Sequence, residues 1–124
     1  MLHGLLWLPL LLISEIGEVN YESDWYDYDS KYNSKNKIII PAEIDSKITR
    51  EIKEIAIKSC RALNIFGFAR VDFFLEKSSN KIFLNEINTI PGFTKNSMFP
   101  MLWEASGLKI EQLVAKLIDI SLDL

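Results

Sequence analysis

Residues 68–88 read FARVDFFLEKSSNKIFLNEIN. Two runs rich in aromatic and branched residues flank Ser78-Ser79-Asn80, which is strand–turn–strand composition. Strand side chains alternate between faces. Over 68–75 this sends Ala69, Val71, Phe73 and Leu75 one way, and Phe68, Arg70, Asp72 and Phe74 the other. Over 81–88, Ile82, Leu84, Glu86 and Asn88 are expected on one face. Asn80 tolerates the positive φ that a tight turn requires.

The chemistry depends on the hairpin register. A three-residue loop over 78–80 pairs Lys77 with Lys81, and counting back sets Asp72 opposite Glu86. Facing residues of an antiparallel pair lie about 4.5–5.5 Å apart. Two carboxylates that close repel unless a cation sits between them. With the carbonyl oxygen of Asn88 they make an oxygen ligand set suited to Mg²⁺, which takes one or two carboxylates and completes its shell with water and phosphates. A four-residue loop instead pairs Asp72 with Asn85 and disperses the cluster. The competing reading is an ordinary hairpin with one polar face. Against it, Phe68, Phe74, Ile82 and Leu84 are expected among the charges, as in a half-buried cleft.

Outward from the hairpin, the flanks read as helices. Asp45 or Ser46 caps a helix over 46–64 that gathers Ile48, Ile52, Ile55, Ala56, Cys60 and Leu63 on one face. Cys60 is then a small core residue, and Asn64 and Gly67 supply the stop. Pro100 to Ala105 reads as a short helix stopped near Gly107. Residues 110–122 form an amphipathic helix with Ile110, Leu113, Val114, Leu117 and Ile118 inward. Between hairpin and short helix lies TIPGFTKNS (89–97). Gly92 permits close backbone approach to a ligand, and N–H groups there suit an oxyanion. Ser97 either donates to a carboxylate or caps the next helix. The fold class is α+β, an antiparallel sheet with hairpin 68–75/81–88 packed against helices 46–64 and 110–122.

Composition narrows the chemistry further. The chain has 124 residues, 48% hydrophobic and 25% charged, with net charge −3. That is ordinary globular composition for one domain, with no basic surplus for nucleic acid. One Cys excludes an internal disulfide, and one His, His3, leaves little for a triad or a zinc site. Carboxylates, lysines, arginines and backbone remain, and carboxylates favour hard cations.

The first 13 residues, MLHGLLWLPLLLI, form an apolar lead too short to span a bilayer. They lack the basic n-region and small-residue cleavage site of a signal peptide. Leu10 to Ile13 reads as a buried strand, or a strand remnant at a truncation junction, and 14–124 as the main unit. A small secreted or membrane-attached protein rests on this lead alone. Residues 14–29 are acidic, and 23–37 (SDWYDYDSKYNSKNK) have no period of 2 or 3.6, so they read as a long loop.

The motifs together resemble a family. Asn85 to Thr94 (NEINTIPGFT), preceded by Ala69 to Phe74 (ARVDFF), is similar to the C-terminal region of the D-alanine–D-alanine ligases, ATP-grasp enzymes of peptidoglycan synthesis. Trp25 to Tyr32 (WYDYDSKY) resembles that family's active-site loop, and Gly17-Glu18-Val19 its Gly-Glu-Ile. The resemblance runs from about Ser14 to the C-terminus and implies a partial ATP-grasp domain.

It also implies roles. Asp72, Glu86 and Asn88 hold Mg²⁺ (or Mn²⁺) bridging the phosphates of ATP, the co-substrate. Lys31 meets the γ-phosphate and Phe74 lies at the nucleotide. Arg70 and the backbone of Gly92 stabilise the tetrahedral oxyanion, and Ser97 binds the carboxylate of the second D-alanine. Tyr32 matches the loop tyrosine of dipeptide-forming members, where depsipeptide-forming relatives place His. The implied reaction is acyl phosphate formation on one D-alanine, then aminolysis by a second, in a cytoplasmic enzyme that forms homodimers. Family members also have a first-substrate domain and a central adenine-binding domain, neither recognisable here. The expectation is therefore a C-terminal catalytic portion inactive by itself. Other readings are another ATP-grasp carboxylate–amine ligase and a non-catalytic remnant.

Overall fold

The computed structural model describes residues 2–7, 11–20 and 37–123. Its elements are β1 (Leu2–Trp7), β2 (Leu11–Asn20), β3 (Lys37–Ile39), α1 (Ser46–Ala62), β4 (Phe68–Glu76), β5 (Lys81–Asn88), α2 (Met98–Ala105) and α3 (Ile110–Leu122). The strands form one five-stranded antiparallel sheet in the order β3-β2-β1-β4-β5. The apolar lead thus supplies the middle strand, where a single strand over 10–13 was expected. The acidic stretch after it continues as β2 as far as Asn20.

Helix α1 packs on one face of the sheet. Asp45 caps it by accepting from the Lys47 N–H at 2.7 Å, leaving one fewer orphan donor in the first turn. Its buried residues, Ile48, Ile52, Ala56 and Cys60, recur every four positions. They meet Ile16 of β2 and Val71 and Phe73 of β4. The helix ends at Ala62, two residues before the expected Asn64, and Leu63 points to solvent. Asn64 (φ 51°) and Gly67 (φ 81°) then turn the chain as anticipated.

Helices α2 and α3 meet the opposite face. Phe99, Trp103, Leu113 and Ile120 form a second core with Phe68, Leu12 and Phe93 against it. At Gly17 of β2 a Cβ would stand 2.8 Å from both Leu102 Cδ2 and Met98 Cε, so only glycine admits α2 this close. Helix α3 is rotated from its expected phase. Leu113 and Ile120 are buried, whereas Val114 and Ile118 are exposed. Among the described residues, no helix is long and apolar enough to cross a membrane.

Candidate functional site

The β4–β5 hairpin differs from its expected form in one residue, and that residue decides the site. Its loop is four residues, since Glu76 pairs with Lys81, Phe74 with Phe83 and Phe73 with Leu84. Continued regularly, this register would set Asp72 against Asn85. Instead the register shifts between Phe73 and Asp72, so that Asp72 faces Glu86, Val71 faces Ile87 and Arg70 faces Asn88. Asn85 is the extra residue of a β-bulge. The expected pair is present, but a bulge produces it and not a three-residue loop.

The bulge also changes which residues share a face. Leu84 and Ile82 oppose Phe73 and Leu75, so they lie on the α1 side and not among the charges as expected. Phe83, opposite Phe74, takes that place. The site face therefore carries Phe68, Arg70, Asp72 and Phe74 from β4, and Phe83, Glu86 and Asn88 from β5. Phe83 was missed because strict alternation assigns it to the other side. Phe74 is 61% exposed and Phe83 51%, an uncovered aromatic pair beside the carboxylates.

Arg70 binds this group together. Its Nε donates to Asp72 Oδ1 at 2.8 Å and an Nη to Asp72 Oδ2 at 2.9 Å. The same guanidinium lies 3.7 Å from Glu86 Oε1. The Arg70 and Asp72 side chains are 20% and 13% exposed, whereas Glu86 is 57% exposed. A bidentate, half-buried pair of this kind is stronger than a surface salt bridge. Asn88 Oδ1 accepts from the Ile90 N–H at 3.0 Å and so turns the chain out of the sheet.

The following loop brings Gly92 and Ser97 together. A Cβ on Gly92 would lie 3.1 Å from Ser97 Oγ. Ser97 occupies the N-cap position of α2, yet its side chain makes no capping bond, contrary to the cap expectation. Its hydroxyl oxygen accepts from the Thr94 N–H at 2.9 Å and lies 2.7 Å from Thr94 Oγ1. The hydroxyl thus closes the 94–97 turn. Lys31 and Tyr32 lie outside the described residues.

The oxygen-only donor set fits a hard cation in chemistry. Two carboxylates stand directly opposed and an amide oxygen sits two residues along β5 from Glu86. Among the described residues, no group of three or more His, Cys, Asp or Glu gathers. Two carboxylates nevertheless meet the usual protein share of a Mg²⁺ shell that phosphates complete.

The family profile described as the D-ala D-ala ligase C-terminus matches residues 10–119. This chain belongs to the D-alanine–D-alanine ligase C-terminal family. It is 89% identical over 121 residues to the D-alanine–D-alanine ligase of Prochlorococcus marinus (strain MIT 9301), covering 98% of this chain and 34% of that protein. Among solved structures, the VanG D-Ala:D-Ser ligase of Enterococcus faecalis superposes with a TM-score of 0.81 at 38% identity, over 96% of this chain and 35% of that one. The D-alanine–D-alanine ligase of Coxiella burnetii superposes with 0.80 at 34% identity, over 98% and 31%. The ATP-grasp-type α+β fold inferred from the motifs is thus the fold of these ligases. The chain spans about a third of the length of the relatives it matches.

Proposed function

We propose that this chain is the C-terminal catalytic portion of a D-alanine–D-alanine ligase, holding the metal and oxyanion side of a site whose other walls lie in the remaining two thirds of such enzymes. The carrying observation is the opposition of Asp72 and Glu86, reached through the bulge at Asn85 with Arg70 beside both. A strand that gives up regular pairing to oppose two carboxylates runs against ordinary cross-strand preference, which disfavours like charges face to face.

In this reading Asp72, Glu86 and Asn88 hold Mg²⁺ (or Mn²⁺), which when bound neutralises the phosphate charge of ATP. The exposed Phe74, with Phe83 beside it, offers an apolar surface to the nucleotide. Arg70 and the Gly92 N–H stabilise the oxyanion that forms when the amine of one D-alanine attacks the acyl phosphate of another. Ser97, fixed by Thr94, directs its hydroxyl to the second carboxylate. Lys31 serves the γ-phosphate, and Tyr32 belongs to the closing loop of a dipeptide-forming member. Closure excludes water, which would hydrolyse the acyl phosphate. The whole enzyme is read as a cytoplasmic homodimer serving peptidoglycan synthesis.

These 124 residues span about a third of such ligases, and by themselves they are expected to show no turnover. A coupled phosphate-release assay with ATP, Mg²⁺ and D-alanine checks this, and turnover would contradict it. The metal reading is tested by titrating Mg²⁺–nucleotide against the wild-type chain and an Asp72→Ala, Glu86→Ala variant. Metal-dependent binding lost in the variant supports the reading. Equal binding by both, with or without metal, contradicts it and favours a non-catalytic remnant.

A further inference from the structure

The Arg70–Asp72 pair has a consequence for how a cation enters the site. Both oxygens of Asp72 accept from one guanidinium, at 2.8 and 2.9 Å, and the same group reaches within 3.7 Å of Glu86. A positive charge already stands where the two opposed carboxylates require one. Mg²⁺ binds carboxylate oxygen at about 2.0–2.1 Å and demands near-octahedral geometry. On an Asp72 oxygen it would share the carboxylate with a charge-assisted hydrogen bond and stand close to a guanidinium of like sign, which opposes its binding.

We propose that Arg70 acts as an internal counter-ion of Asp72 and Glu86 that competes with a divalent cation for them, so that cation binding draws the guanidinium away from Asp72. This rests on the reading of Asp72 and Glu86 as metal ligands and adds a regulation of that site. The burial supports it. Asp72 is 13% exposed, and without a partner its charge would be costly. Arg70 supplies that partner. Glu86, at 57% exposure, is where a cation first arrives from solvent. Once displaced, the guanidinium is available to an anion on the same face, so cation and anion binding are coupled in sign.

Mn²⁺ alone is the probe, titrated into the full 124-residue chain and followed by electron paramagnetic resonance, with fold checked by circular dichroism. Arg70→Met is expected to tighten Mn²⁺ binding at least about fivefold, the lower end of ordinary coupling between sites. Arg70→Lys keeps the charge but loses the bidentate fork. It is expected to tighten binding by less, and it carries the test should Arg70→Met fail to fold. Asp72→Asn is expected to abolish binding. As a second readout, the Arg70 Nε–H proton is expected to exchange slowly in the free chain and faster at saturating Mg²⁺. Unchanged or weaker Mn²⁺ binding in both Arg70 variants, or an Nε–H still protected at saturation, overturns the counter-ion role while loss in Asp72→Asn leaves the metal site standing. No Mn²⁺ binding by any folded variant overturns both.

Discussion

Gly17 shows how much one missing methyl group decides. Its Cα faces α2, where Leu102 and Met98 leave 2.8 Å for a Cβ. The obstructing atoms are ends of flexible side chains, so Gly17→Ala is expected to fold and to lose about 1–3 kcal/mol, as overpacking does. Urea denaturation measures this, and an unchanged midpoint would contradict the packing described. Cys60 belongs to the same scale. Burial pushes its thiol above the ordinary value of 9.0 because the thiolate would be desolvated. The folded chain then keeps a proton that the unfolded chain releases, so this contribution to stability is whole below pH 9.0 and falls as pH rises beyond it. Thermal melts across pH 8–10 should show a decline that Cys60→Ala reduces. The sequence already read Cys60 as a core residue from its place on the α1 stripe. The turning of Ser97 away from its cap position was not legible, because Ser suits both a helix N-terminus and a bond within the preceding turn.

At the scale of elements, the hairpin carries the main lesson. The alternation in 68–75 was readable because Ala69, Val71 and Phe73 are all buried in that order. The partner strand was misread in its phase. A bulge inserts one residue without any change of composition, so strict alternation places Ile82 and Leu84 on the face of Glu86. The opposition of Asp72 and Glu86 is a matter of register, and it is directly measurable. Cross-strand proton contacts by nuclear magnetic resonance should join Asp72 to Glu86. Contacts joining Asp72 to Asn85 would show regular pairing and contradict the bulge. Helix α1 was legible almost to its ends because cap and stripe agree. Replacing Asp45 by Ala removes the bond to the Lys47 N–H and is expected to cost about 1 kcal/mol. Helix α3 lost its expected phase because its apolar residues cover more than one face, and only packing against Phe99 and Trp103 selects among them.

The whole molecule is a sheet with α1 on one side and α2 and α3 on the other. The proposed site lies on the second side, at the β4–β5 end. The lead, read from sequence as a buried strand over 10–13 or a strand remnant at a truncation junction, provides the middle strand that joins β2 to β4. Its reading fell short because central pairing is a long-range property, and a short apolar run with a proline carries no record of its partners. In the proposed reading the chain contributes one wall of a ligase site, with the aromatic pair Phe74 and Phe83 open to solvent. The most direct test of that account is to put this chain in place of the corresponding third of the Prochlorococcus marinus (strain MIT 9301) ligase, which it matches at 89% identity over 121 residues, and to measure D-alanine-dependent phosphate release from ATP. Turnover by the hybrid, lost when Asp72 and Glu86 are both replaced by alanine, is the predicted result. A folded hybrid without turnover, or one indifferent to that double replacement, would contradict the assignment of this chain as the metal- and oxyanion-holding part of the enzyme.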